Sequence, residues 1–214
     1  MIELAGISKF FGSYPAISNV SLTIPDHARI AFLGPSGSGK TTLLRLIAGL
    51  EIPDTGTISV DGRIASSPEY MDPPSKRSIG FVFQSAALWP HMTVSQNILF
   101  GLHHLSEKEQ IQRLGILLDR MKITHVKDRF PDQISGGEAR RVALARALAP
   151  QPSTLLFDEP LTNLDRELRD DLLSLITETV QETGSTMVYV THDEYEAECM
   201  ADTLIRFRKG TIRR

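Results

Sequence analysis

Gly34-Pro35-Ser36-Gly37-Ser38-Gly39-Lys40-Thr41-Thr42 is the stretch that decides the architecture. It fits G-x-x-x-x-G-K-[ST], a pattern in which each part answers a chemical demand. Glycines let the backbone curl until successive N–H groups point at phosphate oxygens, and the N-terminus of a following helix adds partial positive charge. Lys40 reaches the outer phosphates, and Thr41 offers its hydroxyl to Mg²⁺. The flanks supply the required context. The apolar run ARIAFLG (28–34) reads as a strand, and TTLLRLIAGL reads as a helix that closes at Gly49. Such a strand–loop–helix unit holds a nucleoside triphosphate, although alone it does not separate kinase, GTPase and ATPase chemistry.

Working outward, the opening third reads as strands. Val20, Leu22 and Ile24 alternate with polar neighbours, Pro25-Asp26 makes a turn, and further strands are predicted at 56–60 and 79–83. From Thr93 to about Ala149 the pattern is helical, with a capping box at Ser106 and Glu109 and with Ile111, Leu114, Leu117, Leu118 and Met121 on one face. The last third alternates again: a strand at 153–158, a helix over 166–183 stopped by Gly184, a strand at 185–190, a short helix, and a strand at 203–207. Strand–helix alternation at both ends predicts an α/β fold with a mostly parallel sheet and helices on both faces. The helical middle reads as an insertion, so the expectation is one lobed domain over 1–214. Residues 1–84 and 151–214 form its core, and 85–150 form a helical subdomain.

Composition agrees with an ordinary globular chain, 41% hydrophobic and 23% charged, which excludes disordered, collagenous and disulfide-scaffold classes. The formal charge of −3 gives no basic excess, so nucleic acid is not expected as a partner. The single cysteine, Cys199, forms no intrachain disulfide and reads as core filler in a helical pattern. No basic start with an apolar run marks a signal peptide, and no apolar stretch approaches the roughly 20 residues that cross a bilayer. Any membrane role is therefore expected to run through a partner.

A phosphate-binding loop needs a second group on the metal, commonly an Asp at the end of a neighbouring buried strand. Thr154-Leu155-Leu156-Phe157-Asp158 supplies an apolar run ending in a carboxylate, and Glu159 follows at once. Asp158 is the natural metal contact and Glu159 the natural general base for an attacking water. The alternative is a charged pair that merely ends a strand. A base favours hydrolysis, since transfer to another substrate needs no activated water.

Ile134-Ser135-Gly136-Gly137-Glu138 then resembles the LSGGQ signature of ABC ATPases, and it lies upstream of the Asp158-Glu159 strand as in that family. Asp165 in LTNLD resembles the D-loop, His192 the switch histidine, and Gln84 after IGFVF the Q-loop glutamine. Phe11, just before Gly12, stands at the place of the aromatic that stacks on adenine, with Phe10 and Tyr14 as nearby candidates. The likeness runs from about Ile2 to Gly210. It implies a P-loop NTPase fold with a RecA-like sheet, an N-terminal antiparallel β subdomain and the helical insertion.

The resemblance also implies the site. ATP would lie on Gly34, Pro35, Ser36, Gly37, Ser38, Gly39, Lys40, Thr41 and Thr42, with Mg²⁺ held by Thr41, Asp158 and Gln84. Glu159, His192, Gln84 and Lys40 would act in hydrolysis. Two subunits, an identical pair in the simplest case, would close head to tail over two ATP molecules. Ser135, Gly136 and Gly137 of one would then cap the γ-phosphate held by the other. Ser135 is a good N-cap, and the helix it opens offers free N–H groups to an anion. Glu138 departs from the usual Gln. A carboxylate there is mildly repulsive to a triphosphate unless it faces ribose or solvent, so altered affinity or rate is expected rather than inactivity.

The stretch LWPHMTV (88–94) is similar to that in ATPases of importers for sugars, polyamines, iron and oxyanions. This implies separate transmembrane permease subunits, an indirect link to a solute-binding protein, and a cytoplasmic chain peripheral on the inner face of the cell membrane. Leu88 and Trp89 either grip a permease helix or pack inside the insertion. Those importer ATPases often continue into a regulatory β-domain, and none is expected past Arg214. A lipid or lipoprotein exporter ATPase, and a soluble cofactor-assembly ABC ATPase, are the rival readings.

Overall fold

The computed structural model describes residues 1–213, so Arg214 lies outside the described residues. Strands β1 (Ile2–Phe11) and β2 (Tyr14–Ile24) form an antiparallel hairpin that turns at Gly12-Ser13. Strand β3 (Arg29–Leu33) leads through the glycine loop into α1 (Lys40–Ala48), which ends at Gly49 in a left-handed conformation, as read. Strands β4 (Thr55–Val60), β5 (Arg63–Ser67) and the short β6 (Tyr70–Met71) complete a five-stranded antiparallel sheet in the order β2-β1-β4-β5-β6.

After β7 (Ile79–Val82) the chain is helical: α2 (Val94–Leu99), α3 (Glu107–Arg120) and α4 (Gly136–Leu148). Each of these helices opens on a capping box, from Thr93, Ser106 and Ser135 respectively. The remainder alternates: β8 (Thr154–Asp158), α5 (Arg166–Thr183), β9 (Thr186–Thr191), α6 (Glu194–Met200), β10 (Thr203–Arg208) and β11 (Thr211–Arg213). The second sheet runs β11-β10-β3-β9-β8-β7, parallel throughout except for β11, which pairs antiparallel to β10. The expected α/β fold, with its mostly parallel sheet, antiparallel β portion and helical insertion, is therefore present.

Two cores share that parallel sheet. On β8 and β9 every residue is buried, and the two-residue strand period divides them. Leu156, Val188 and Val190 point into a core with Leu43, Leu44, Leu46 and Ile47 of α1 and the apolar residues of β1, β2 and β4. Leu155, Phe157, Met187 and Tyr189 point the other way, into a core with α2, α3, α4 and α5. Helix α1 is thus packed between the two sheets. Burying each of its Leu and Ile side chains is worth about 1.5–3 kcal/mol, which fixes the helix whose N-terminus carries the loop.

The C-terminus of α1 is held by an unanticipated group, Arg77. Its buried guanidinium donates to Leu46 O, Ile47 O, Asp72 O, Ala65 O and Ser66 Oγ. Burial pushes the Arg77 guanidinium down from its ordinary value, against the pull of Asp72.

One burial expectation is corrected, and the apolar face of α3 is covered only in part. Of the face read on α3, Leu117, Leu118 and Met121 are buried, Leu114 packs against the helical core, and Ile111 is exposed. Cys199 is exposed too, because α6 buries Glu196, Ala197 and Met200 and leaves position 199 on the outer side. Leu88 and Trp89 are both half-buried. Leu88 packs against the helical core, and Trp89 stacks on Phe100 and under the Arg146 guanidinium.

Candidate nucleotide site

The loop between β3 and α1 is shaped by its glycines. Gly39 has a φ of 107°, and a Cβ there would lie 2.5 Å from Ala16 O, so both backbone conformation and space demand glycine. At Gly34 a Cβ would meet Phe207 O at 2.5 Å. Gly39 is the N-cap of α1, and no side chain caps the helix and no acidic residue lies in its first turn, so its N–H groups are open to an anion.

Lys40 is almost wholly buried, and its ammonium donates to Gly34 O at 2.6 Å and Pro35 O at 3.0 Å. Its Nζ stands 3.7 Å from Glu159 Oε1. Burial pushes the Lys40 ammonium down from its ordinary value, while Glu159 pulls it back up.

Asp158 and Glu159 diverge. Thr41 Oγ1 donates to Asp158 Oδ1 at 2.6 Å, which brings together the two oxygen groups expected to hold Mg²⁺. Burial pushes the Asp158 carboxyl up, with the Thr41 hydrogen bond opposing. A hard cation suits this pair of oxygens and relieves the buried carboxylate. No group of three or more His, Cys, Asp and Glu residues gathers around a metal position among the described residues.

Glu159 has left the strand. Its φ of 44° is left-handed, held by its N–H donating to Val190 O at 3.0 Å and by Thr162 Oγ1 donating to Glu159 O at 3.1 Å. The carboxylate consequently turns toward Lys40 and His192, accepting from His192 Nδ1 at 3.2 Å.

One cavity of about 310 Å³ collects Phe11, Tyr14, residues 36–42, Gln84 and Glu159. Phe10, Phe11 and Tyr14 are all exposed, so none is core, and only Phe11 and Tyr14 line this cavity. Tyr14 also donates its hydroxyl to Gly37 O at 3.2 Å. Gln84 lies just beyond β7, and its backbone carbonyl accepts from Arg140 on the signature helix, a contact that no motif announces.

The remaining expected residues lie elsewhere. Ser135 caps α4, accepting from Glu138 N at 3.2 Å, and Asp165 caps α5, accepting from Leu168 N at 3.0 Å. Gly137 packs against Leu168, so the two helix N-termini are neighbours. Neither Ser135, Gly136, Gly137 and Glu138 nor Asp165 lines the cavity around Lys40. One chain brings the loop, the carboxylates, Gln84 and His192 together and leaves the signature apart.

The chain resembles known proteins over its length. A family model described as ABC transporter matches residues 17–162. The sulfate/thiosulfate import ATP-binding protein CysA of Synechococcus elongatus is 48% identical over 99% of this chain and 61% of its own length. The Fe(3+) ions import ATP-binding protein FbpC of Pseudomonas fluorescens is 44% identical over 99% of this chain and 60% of its own. This chain therefore spans about three fifths of the curated relatives it matches. Among solved structures, a dimeric post-hydrolysis ATP-binding cassette bound to ADP and Pi superposes with a TM-score of 0.89 at 32% identity, covering 100% of this chain and 97% of that one. Loop, paired carboxylates, signature and fold lead to one conclusion: this chain belongs to the ABC transporter family.

Proposed function

We propose that this chain binds and hydrolyses ATP and energises an importer through a separate membrane permease, by head-to-tail closure of two copies over two nucleotides. The divergence of Asp158 and Glu159 carries the reading. One carboxylate is paired with the Thr41 hydroxyl, and the other faces Lys40 and His192 at the cavity wall. Thr41, Asp158 and Gln84 would hold Mg²⁺, which when bound offsets charge on the phosphates. The core of 1–84 with 151–214 would serve as the nucleotide platform, and 85–150 as the movable helical part that carries the signature.

The residues divide the work. Loop N–H groups and Lys40 receive the phosphates, Lys40 exchanging its bonds to Gly34 O and Pro35 O for phosphate oxygens. Glu159 takes a proton from water as that water's oxygen bonds to the γ-phosphorus. The bond from that phosphorus to the β–γ bridging oxygen breaks, and ADP and inorganic phosphate leave. His192 holds the Glu159 carboxylate through Nδ1. Phe11 would stack on the base. Because Ser135, Gly136, Gly137 and Glu138 stand apart from their own cavity, and Asp165 with them, their contribution would fall on a second copy's nucleotide. The relatives' printed names favour import, and no helix among the described residues is long and apolar enough to cross a membrane, so a permease would be a separate chain on whose inner face this one sits.

The test is purification of the Glu159→Gln variant from gently solubilised native membranes with Mg-ATP, followed by mass spectrometry. Recovery of a polytopic permease with a solute-binding protein is expected. Recovery of a soluble assembly scaffold with no membrane protein would sink the transport reading and leave the ATPase reading standing.

A further inference from the structure

Glu138 stands where the family signature usually has glutamine, and its two carboxylate oxygens have separate partners. Oε2 accepts from the Ser135 backbone N–H at 2.7 Å and from Ser135 Oγ at 2.8 Å. Oε1 faces Nε2 of His125 at 2.8 Å. Hydrogen bonds from Ser135, with His125 behind them, hold the Glu138 carboxyl below its ordinary range. An ionised carboxylate only accepts, so Nε2 of His125 carries the hydrogen.

His125 is outside every motif, thirteen residues before Glu138. It lies on a helical turn, Thr124–Val126, that is anchored on both sides. Ile123 and Val126 are buried in the helical core, and Thr124 Oγ1 donates to Asp119 Oδ1 at 2.7 Å. The backbone is thus fixed while the His125 side chain stays 64% exposed over the end of α4. This is the end at which the signature meets solvent, and the position where a second copy's γ-phosphate would arrive.

A glutamine here could offer an amide N–H, whereas a glutamate offers none and adds a negative charge. We infer that His125 is a positioning residue of the signature half-site. Its N–H ties down the Glu138 carboxylate and occupies the oxygen that Ser135 leaves free, so that Ser135 stays aimed and less bare negative charge faces the arriving triphosphate. The inference rests on the head-to-tail reading above. His125 is exposed and Glu138 only partly buried, so the pair is worth about two- to fivefold per site. A closed dimer contains the pair twice, so its dissociation constant shifts by the square of that, roughly four- to twenty-five-fold.

The test is a Mg-ATP-dependent dimerisation assay by analytical ultracentrifugation in the Glu159→Gln background, with nucleotide affinity of the monomer measured alongside. His125→Ala is expected to raise the dimer dissociation constant by that factor and leave the monomer's nucleotide affinity alone. His125→Arg, which keeps a donor and adds a fixed positive charge, should restore dimerisation. In a Glu138→Gln background, His125→Ala should cost nothing, an outcome that a merely structural role for the turn would not produce. Unchanged dimerisation of His125→Ala, or strictly additive effects of the two substitutions, overturns the inference and leaves the ATPase reading intact. If the Glu159→Gln parent itself fails to dimerise with ATP, the head-to-tail reading falls and this inference falls with it.

Discussion

The Thr41 hydroxyl donates to the Asp158 carboxylate across 2.6 Å, joining α1 to the end of β8 over 117 positions of sequence. The bond places two oxygens where a metal can take both, and it leaves the neighbouring Glu159 free to face the cavity. Four expectations follow from this arrangement and its surroundings.

Asp158 is costly without a cation. Burial raises its pKa in the fold above the unfolded value, so the folded state binds the proton more tightly. Relative stability is then fully present below the unfolded value, near about 4, and is lost as pH rises through the raised folded value. Asp158→Asn is therefore expected to melt at or above the wild-type temperature at pH 7–8 without nucleotide, with the difference closing near about pH 4. The same variant should lose the added thermal stabilisation that Mg-ATP confers on the wild type. Melting scans at two pH values, with and without Mg-ATP, check both halves.

Glu159→Gln keeps the shape of the side chain and removes the carboxylate proposed as the base. Turnover should fall by about 10²- to 10⁴-fold while ATP affinity stays within about threefold. Steady-state phosphate release beside equilibrium nucleotide binding measures the two separately. Retained turnover would remove Glu159 from the role.

The aromatic position is tested by comparison. Phe11 lines the cavity and Phe10 does not, although both are exposed. Phe11→Ala should weaken ATP binding by about tenfold through lost base stacking, and Phe10→Ala should leave it nearly unchanged. A fluorescent nucleotide titration on the two variants decides. Equal losses would contradict the assignment.

Arg77→Met removes the donors from the carbonyls that close α1. At least two buried acceptors would be left unpaired, a cost of about 3 kcal/mol or more. For a chain of this size that lowers Tm by roughly 6–12 °C. Differential scanning calorimetry reads it directly, and nucleotide affinity should weaken in parallel if the far end of α1 steadies the loop.

Local patterns were legible because their causes are local. The helix over 166–183 and its Gly184 stop are those of α5, and the capping box at Ser106 and Glu109 is present as read. Each depends on residues within one turn of one another. Cys199 was misjudged for the complementary reason, and the exposure of Ile111 has the same cause. An apolar period or neighbourhood says which face a residue shares, but what covers that face is decided by another element. Arg140 on Gln84 O and Arg77 on the end of α1 leave no local trace either.

The sequence by itself determined that a triphosphate loop opens a helix, that two carboxylates end a buried strand, and that a signature motif lies between them. Each rests on residue types at short spacing, where backbone geometry leaves few choices. Only the tertiary structure decided which carboxylate meets Thr41 and which meets Lys40, because a left-handed turn at Glu159, held by Val190 and Thr162, sends consecutive side chains apart. It also decided that the signature stands away from its own chain's cavity, and that His125 sits on Glu138. Such pairings are set by the path of the chain and by packing between distant segments, and no period in the sequence encodes them.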